Sequence, residues 1–297
     1  MFFKGKIIAP VFARVAYAVL RLVGWKRKTV MANAKHVSSP VNYDELLFNL
    51  TRHASELLFR FGTFKRLPAD FSKYPCRVDG WDFVLDEAAI PVLEKMRKGG
   101  IFLTAHYGNY EAMGPWLCRL GIPLVASYIP VKPKWLNNIL ERKIRAVDGR
   151  SYSVDARTPR DFLRILNDGK LFCLLSDQDS RIPSALPGTL LGQPVNVNPL
   201  PDFLLEHRPQ TPVFICWMEE ICGVRVLHAV EVGRAQFPGP VHPASPALFK
   251  VASPAELSIV NLQFNKWLEE RIYENPNLWY SFTHRRFYSQ SPEIYGE

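Results

Sequence analysis

A histidine and a glutamate five residues apart follow an apolar run in Thr104-Ala105-His106-Tyr107-Gly108-Asn109-Tyr110-Glu111. The run itself, residues 101–105, is bounded by glycines and rich in β-favouring residues, and it reads as a short buried strand. Ligands in open α/β sheets bind beyond the carboxyl ends of the strands, so His106 falls where chemistry is usually done. An imidazole there can take a proton from a substrate hydroxyl if a carboxylate fixes its tautomer and stabilises the imidazolium. In a continuous helix, positions five apart point about 140° from each other, so Glu111 reaches the ring only if the chain turns through Tyr107-Gly108. Gly108 permits that turn, or a close approach of substrate. The plainer reading makes His106 a buried, hydrogen-bonded histidine and Glu111 an exposed residue in a first helical turn.

A second apolar run, residues 171–175, ends in Ser176-Asp177-Gln178-Asp179 at the same expected sheet edge. Asp177 and Asp179 there either hold an arginine or a polar headgroup, or stabilise a turn through side-chain hydrogen bonds. The chain has no GxGxxG, no GxxxxGK[ST], no GxSxG and no HExxH or Cys/His cluster. Dinucleotide, P-loop and standard α/β-hydrolase chemistry lose support, and no metal or cofactor is expected. The five cysteines contain no CxxC pair and mostly sit in apolar surroundings, so they read as reduced core residues of a protein facing the cytoplasm.

The elements around these groups alternate. Helical spacing covers residues 42–61, a proline-rich loop 67–75, and a helix 84–97. Strand 101–105 is followed by helix 110–120, strand 124–129, a basic helix 135–147 and a short strand 151–154. Helix 159–167 and strand 171–175 come next, then a long Pro/Gly/Asn-rich loop 183–201. Strands 212–218 and 224–232 and a helix 254–273 close the series. This order predicts an α/β fold with a mainly parallel sheet flanked by helices, with no linker that would divide the body.

With 297 residues, 47% of them hydrophobic, the chain can bury a sizeable core and is not a disordered protein. Its net charge of +9 is concentrated. Residues 1–43 hold eight basic side chains and no acid, whereas the rest is nearly balanced. Within this arm Ile7, Ile8, Val11, Phe12, Val15, Val19, Leu22 and Val23 fall in an arc of about 120° on a helical projection. Arg14, Arg21, Lys28 and Lys35 recur every seven residues, away from the arc's centre. Residues 7–23 are short and polar for a transmembrane helix, and the arginines break the pattern of a secretory signal. An amphipathic helix lying on an anionic bilayer fits, as does one packed on the protein's own body. The chain is thus divided into a basic membrane-associating arm, 1–43, and a catalytic domain, 44–297.

His106 to Glu111 resembles the HxxxxD/E motif of the lysophospholipid acyltransferase superfamily, and the chain is most similar to the bacterial lipid A biosynthesis (late) acyltransferases. Gly100-Ile101-Phe102-Leu103 is similar to that family's strand, and Ser176-Asp177-Gln178-Asp179 resembles its DQD segment. Asn275-Pro276, Trp279 and His284-Arg285-Arg286-Phe287 resemble its C-terminal ending. The pieces keep the family's order and spacing over roughly residues 7–290. The chain departs by beginning almost at the amphipathic segment, without the family's long apolar span, and by its Tyr107-Gly108-Asn109-Tyr110 filling, which is familiar from mannoside acyltransferases of glycolipids.

The resemblance implies an acyltransferase-like fold and transfer of a fatty acyl group from an acyl carrier protein or coenzyme A thioester to a hydroxyl of a lipid A precursor or related glycolipid. His106 would be the general base, Glu111 would orient it, and Arg145 leads the candidates for the cation near the oxyanion. Gly108, Asn109, Arg142, Arg157, Asp177 and Asp179 are the implied substrate-binding residues. The implied partners are the thioester donor, the lipid acceptor and an anionic membrane surface, at the cytoplasmic face of a bacterial inner membrane; no nucleic acid is expected. The alternatives are another acceptor (a phosphatidylinositol mannoside, a lysophospholipid or an amino-acid lipid), or a non-enzymatic protein that binds membranes or nucleic acid through its arm.

Overall fold

Three helices come first: α1 (Phe2–Leu22), α2 (Arg27–His36) and α3 (Tyr43–Phe64). The structure is a computed structural model, and it describes residues 2–128, 130, 132–233 and 259–296. Helix α3 begins at Asn42, whose side chain accepts from the backbone N–H groups of Asp44 (3.0 Å) and Glu45 (3.1 Å). That cap, with two acids in the first turn, satisfies the orphan donors and the helix dipole together. Strands β1 (Cys76–Val78) and β2 (Trp81–Leu85) follow as a hairpin. Its turn residues Asp79 and Gly80 both have positive φ (53° and 83°). The helix expected over 84–97 is therefore shorter: Val84 and Leu85 belong to β2, and α4 spans Ile90–Met96.

The alternation then runs through β3 (Gly100–Thr104), α5 (Tyr110–Arg119), β4 (Leu124–Ser127) and α6 (Lys134–Ile139). Helix α6 stops early because a π-helical turn, Leu140–Ile144, takes over, and β5 (Ala146–Val147), β6 (Arg150–Ser151) and β7 (Ser153–Val154) are short. Helix α7 (Pro159–Asn167) opens on a Thr158/Asp161 capping box and leads to β8 (Leu171–Leu175). Residues 183–201, expected as a loop, instead contain a two-stranded hairpin, β9 (Leu186–Leu190) and β10 (Gln193–Val197), and the start of α8 (Leu200–His207). Strands β11 (Val213–Ile221) and β12 (Val224–Glu231) are longer than expected, and α9 is described over Ile259–Glu274. The expected residue 129 of the second strand and residues 254–258 of the last helix lie outside the described residues.

Eight strands form one sheet in the order β1-β2-β12-β11-β3-β8-β4-β7. Only the β1–β2 and β11–β12 pairs are antiparallel, so the sheet is mainly parallel and the fold is α/β. Strand β3 is buried at all five positions, as a central parallel strand must be when both faces are covered. Ile101 and Leu103 join the core on one face with Phe172, Ile215 and Phe264. Phe102 joins the other with Leu93, Trp116 and Phe214. The cysteines are free thiols; Cys216 is buried, but Cys222 is exposed in the β11–β12 turn and not in the core.

Helix α1 lies along α3 through its small residues. Ala9 and Ala13 are buried, and a Cβ on Gly5 would come within 2.6 Å of the Phe59 carbonyl oxygen, so the two backbones approach closely there. Phe12 and Tyr17 add edge-on contacts to Phe59 and Phe48. The apolar arc from Ile7 to Val23 is left exposed; Leu22 is 88% accessible and Ile7 63%. Residues 27–43 are built into the body, with Val30, Ala34, Val41 and Tyr43 in the same core as β3. Among the described residues no single helix is long and apolar enough to cross a membrane; α1 and α2 meet composition and length only as a pair bent by 80°.

Candidate active site

The parallel register of β3 and β8 builds the site. Gly100 lies opposite Leu171 and Thr104 opposite Leu175, and Ser176 N–H donates to the Thr104 carbonyl (3.1 Å). Two residues beyond each strand end, His106 and Asp177 therefore stand side by side. His106 Nδ1 lies 2.8 Å from Asp177 Oδ1, and the His106 backbone N–H donates to Asp177 Oδ2 (3.0 Å). Trp279 Nε1 (2.9 Å) and the Ser281 hydroxyl (2.7 Å) also donate to Oδ2.

Asp177 is fully buried. Burial alone would raise its pKa, but His106 beside it and the donors from Ser281 and Trp279 hold its carboxyl well below the usual carboxylate range. Burial likewise pushes the His106 imidazole down, and the charge and hydrogen bond of Asp177, with a smaller push from Glu111, raise it above its ordinary value. The ionised carboxylate on Nδ1 fixes the proton there and leaves Nε2 as the basic nitrogen. The His106 side chain keeps 19% exposure, and none of the described residues hydrogen-bonds Nε2. Tyr110 packs edge-on against the ring (4.9 Å between centroids), and His284 stands 6.2 Å away, its imidazole held lower by burial and by His106.

Glu111 does not occupy Nδ1, which corrects its expected orienting contact. Asp177 has that place by register, and the Glu111 carboxylate is engaged by Arg145 through Nε (3.2 Å) and Nη2. The π-helical turn makes this possible: Arg145 N–H bonds back five residues to the Leu140 carbonyl (2.7 Å), so Arg145 leaves the helix axis toward α5. Its guanidinium also lies over the Tyr128 ring (5.3 Å). Glu111, in the first turn of α5, and Arg145 thus form a partly buried ion pair.

Gly108 supplies the expected turn, with φ at +58°, and a Cβ there would sit 3.2 Å from the Met218 carbonyl oxygen. Asn109 is not available to substrate: it is buried, and its Nδ2 donates to Glu56 Oε2 (3.0 Å). Arg157 is exposed and paired with Asp155 (2.6 and 2.9 Å) at the start of α7, away from the His106 cluster's contacts. Arg142 is exposed on the π-helical turn. Asp179 faces the C-terminal segment instead of the dyad, accepting from Ser289 N–H (3.2 Å), the Ser289 hydroxyl (2.8 Å) and Arg181 (3.2 Å). Arg286, in the C-terminal ending, is buried and donates to the Asn196 carbonyl (3.1 Å). The segment is held by hydrogen bonds, including those from Asn33 Nδ2 to the carbonyls of Phe282 (2.8 Å) and His284 (2.7 Å).

Trp279, Ser281, His53 and Glu56 were not expected at the site. The C-terminal segment reaches it by backbone pairing: Tyr280 N–H donates to the His106 carbonyl (2.8 Å) and Gly108 N–H to the Leu278 carbonyl (2.9 Å). Among the described residues no group of three or more His, Cys, Asp or Glu is placed to hold a metal ion. Compared with protein-family models and with curated proteins, the chain finds no match in either.

Proposed function

We propose that the protein is a membrane-associated O-acyltransferase that moves a fatty acyl group from an acyl carrier protein or coenzyme A thioester to a hydroxyl of a glycolipid of the lipid A precursor type. The observation that carries this reading is the His106–Asp177 dyad, an oriented imidazole with Nε2 open at the carboxyl end of a parallel sheet. The acceptor hydroxyl gives its proton to His106 Nε2 as its oxygen attacks the thioester carbonyl. The tetrahedral intermediate collapses to the ester, and the departing thiolate takes the proton back from the imidazolium. No acyl-enzyme is required, because the thioester is already activated and positioning plus charge stabilisation suffice. Arg145 is the candidate cation for the developing oxyanion, with Glu111 holding its guanidinium.

The exposed apolar arc of α1 supports a place on an anionic bilayer, as at the cytoplasmic face of a bacterial inner membrane, where a lipid acceptor is met. Arg142 and Lys143, exposed on the turn that leads to Arg145, are the candidate contacts for an acidic carrier protein.

Mass spectrometry of lipids from cells with and without the protein tests the reading. One lipid should gain the mass of one acyl chain only when the protein is present. Identical lipid profiles, with thioester unconsumed by purified protein on vesicles, would reject it. The pH dependence follows from His106. The neutral ring is the base and its pKa is raised, so kcat/KM should climb with pH through a midpoint above the ordinary histidine value of about 6.5. A midpoint below that value would contradict the Asp177 contact.

A further inference from the structure

Helix α3 touches the catalytic turn through two buried residues three apart, which share one helical face. His53 Nδ1 lies 2.6 Å from the Tyr280 hydroxyl. Burial, with Arg52 and Arg225 nearby, keeps this imidazole neutral, so Nδ1 can accept from the Tyr280 hydroxyl. Glu56 Oε2 accepts from Asn109 Nδ2, while Oε1 faces Arg52 and Arg225, each at 3.4 Å. Glu220 balances the two arginines from the other side (2.7 and 3.5 Å).

Asn109 occupies the N-cap position of α5, where an asparagine side chain ordinarily binds the helix's own N–H groups. Here it makes no such bond. The side chain is given up to Glu56 instead, so a local preference is overruled in order to fasten the turn to α3. Tyr280 joins the two contacts, since its N–H holds the His106 carbonyl while its hydroxyl meets His53.

We infer that Glu56 and His53 are positioning residues that act through Asn109 and Tyr280 to hold His106 against Asp177. The inference rests on His106 being the base, and the test separates the two. In Asn109→Asp, assayed at a pH where both carboxyls are ionised, two carboxylates meet across a 3.0 Å contact and the turn relaxes. A displacement of that kind at a reacting group lowers kcat about 100-fold, with KM little changed. The His106 titration midpoint, followed by NMR of the ring, should fall toward the ordinary value. Adding Glu56→Gln to Asn109→Asp remakes the bond with its polarity reversed, the new amide at position 56 donating to the new carboxylate at position 109. Both kcat and the midpoint should recover most of the loss.

Asn109→Ser serves as the second variant, because serine caps α5 well but cannot reach Glu56. It should melt cooperatively and still lose kcat. Retention of wild-type kcat and midpoint by either single variant, or no recovery in the exchanged pair, would overturn the inference. If the wild-type protein transfers no acyl group, the functional reading falls, and the NMR midpoints alone decide the positioning role.

Discussion

Asp177→Asn should lower kcat roughly 10³- to 10⁴-fold while the protein stays folded, about the effect expected of His106→Ala. The argument is one of tautomers. Asp177 Oδ2 receives three donors, from His106 N–H, Trp279 and Ser281, so the single carbonyl oxygen of an asparagine must take that place. Its amide NH₂ is then forced onto the Oδ1 side, facing His106 Nδ1 at 2.8 Å. Nδ1 can only accept there, the ring proton moves to Nε2, and the base has no lone pair for the substrate. Ring NMR should show the proton on Nε2 in the variant and on Nδ1 in the wild type. A variant within about tenfold of wild-type kcat would remove Asp177 from the mechanism.

The same pair sets a pH window for stability. The folded-state carboxyl of Asp177 is depressed, so its contribution is present above the unfolded value of about 3.9 and is lost as pH falls through the folded one. His106 is raised, so its contribution is full below about 6.5 and is lost as pH rises through its folded value. The gap in melting temperature between wild type and Asp177→Asn should therefore be widest between those two limits, and narrower on either side.

The strand ends that carry this dyad were legible in the sequence, but their pairing was not. Residues 101–105 and 171–175 read as buried strands from their apolar runs, and His106 was singled out by its place after one of them. Which carboxylate reaches it depends on strand order and register. Only with β3 beside β8, Gly100 opposite Leu171, does the two-residue overhang of each bring His106 to Asp177. The HxxxxE spacing drew attention to Glu111 instead, because local spacing is visible and a contact 71 residues away is not. Arg145 was legible as a candidate, but its meeting with Glu111 relies on a π-helical turn that a continuous helix over 135–147 would not contain. The β9–β10 hairpin was hidden by composition: Pro187, Gly188 and Pro194 are poor strand residues, tolerated in a two-stranded ribbon with open edges. The β1–β2 hairpin had a usable signal in Asp79-Gly80, which favours the tight turn found there.

Val11→Asp with Val15→Asp should weaken binding to anionic vesicles by 100-fold or more, because burying a valine in lipid is worth about 1.5 kcal/mol and a charge in its place adds a penalty. Both side chains belong to the exposed face of α1, 53% and 57% accessible, while Ala9 and Ala13 hold the opposite face on α3. The fold should be indifferent to the change, and hydrolysis or transfer with a water-soluble acceptor should continue. Wild-type binding should also fall with added salt, since the basic residues flanking the arc contribute about 1 kcal/mol each near a negative surface and are screened over about 10 Å at 0.1 M. Unchanged vesicle binding in the double variant would show that α1 is not the membrane contact. If the substitutions instead convert a dimer to a monomer, the apolar arc is covered by a second copy of the chain, and the address of the protein must lie elsewhere. With lipid binding lost and soluble activity kept, the basic arm supplies location and the His106–Asp177 dyad supplies chemistry.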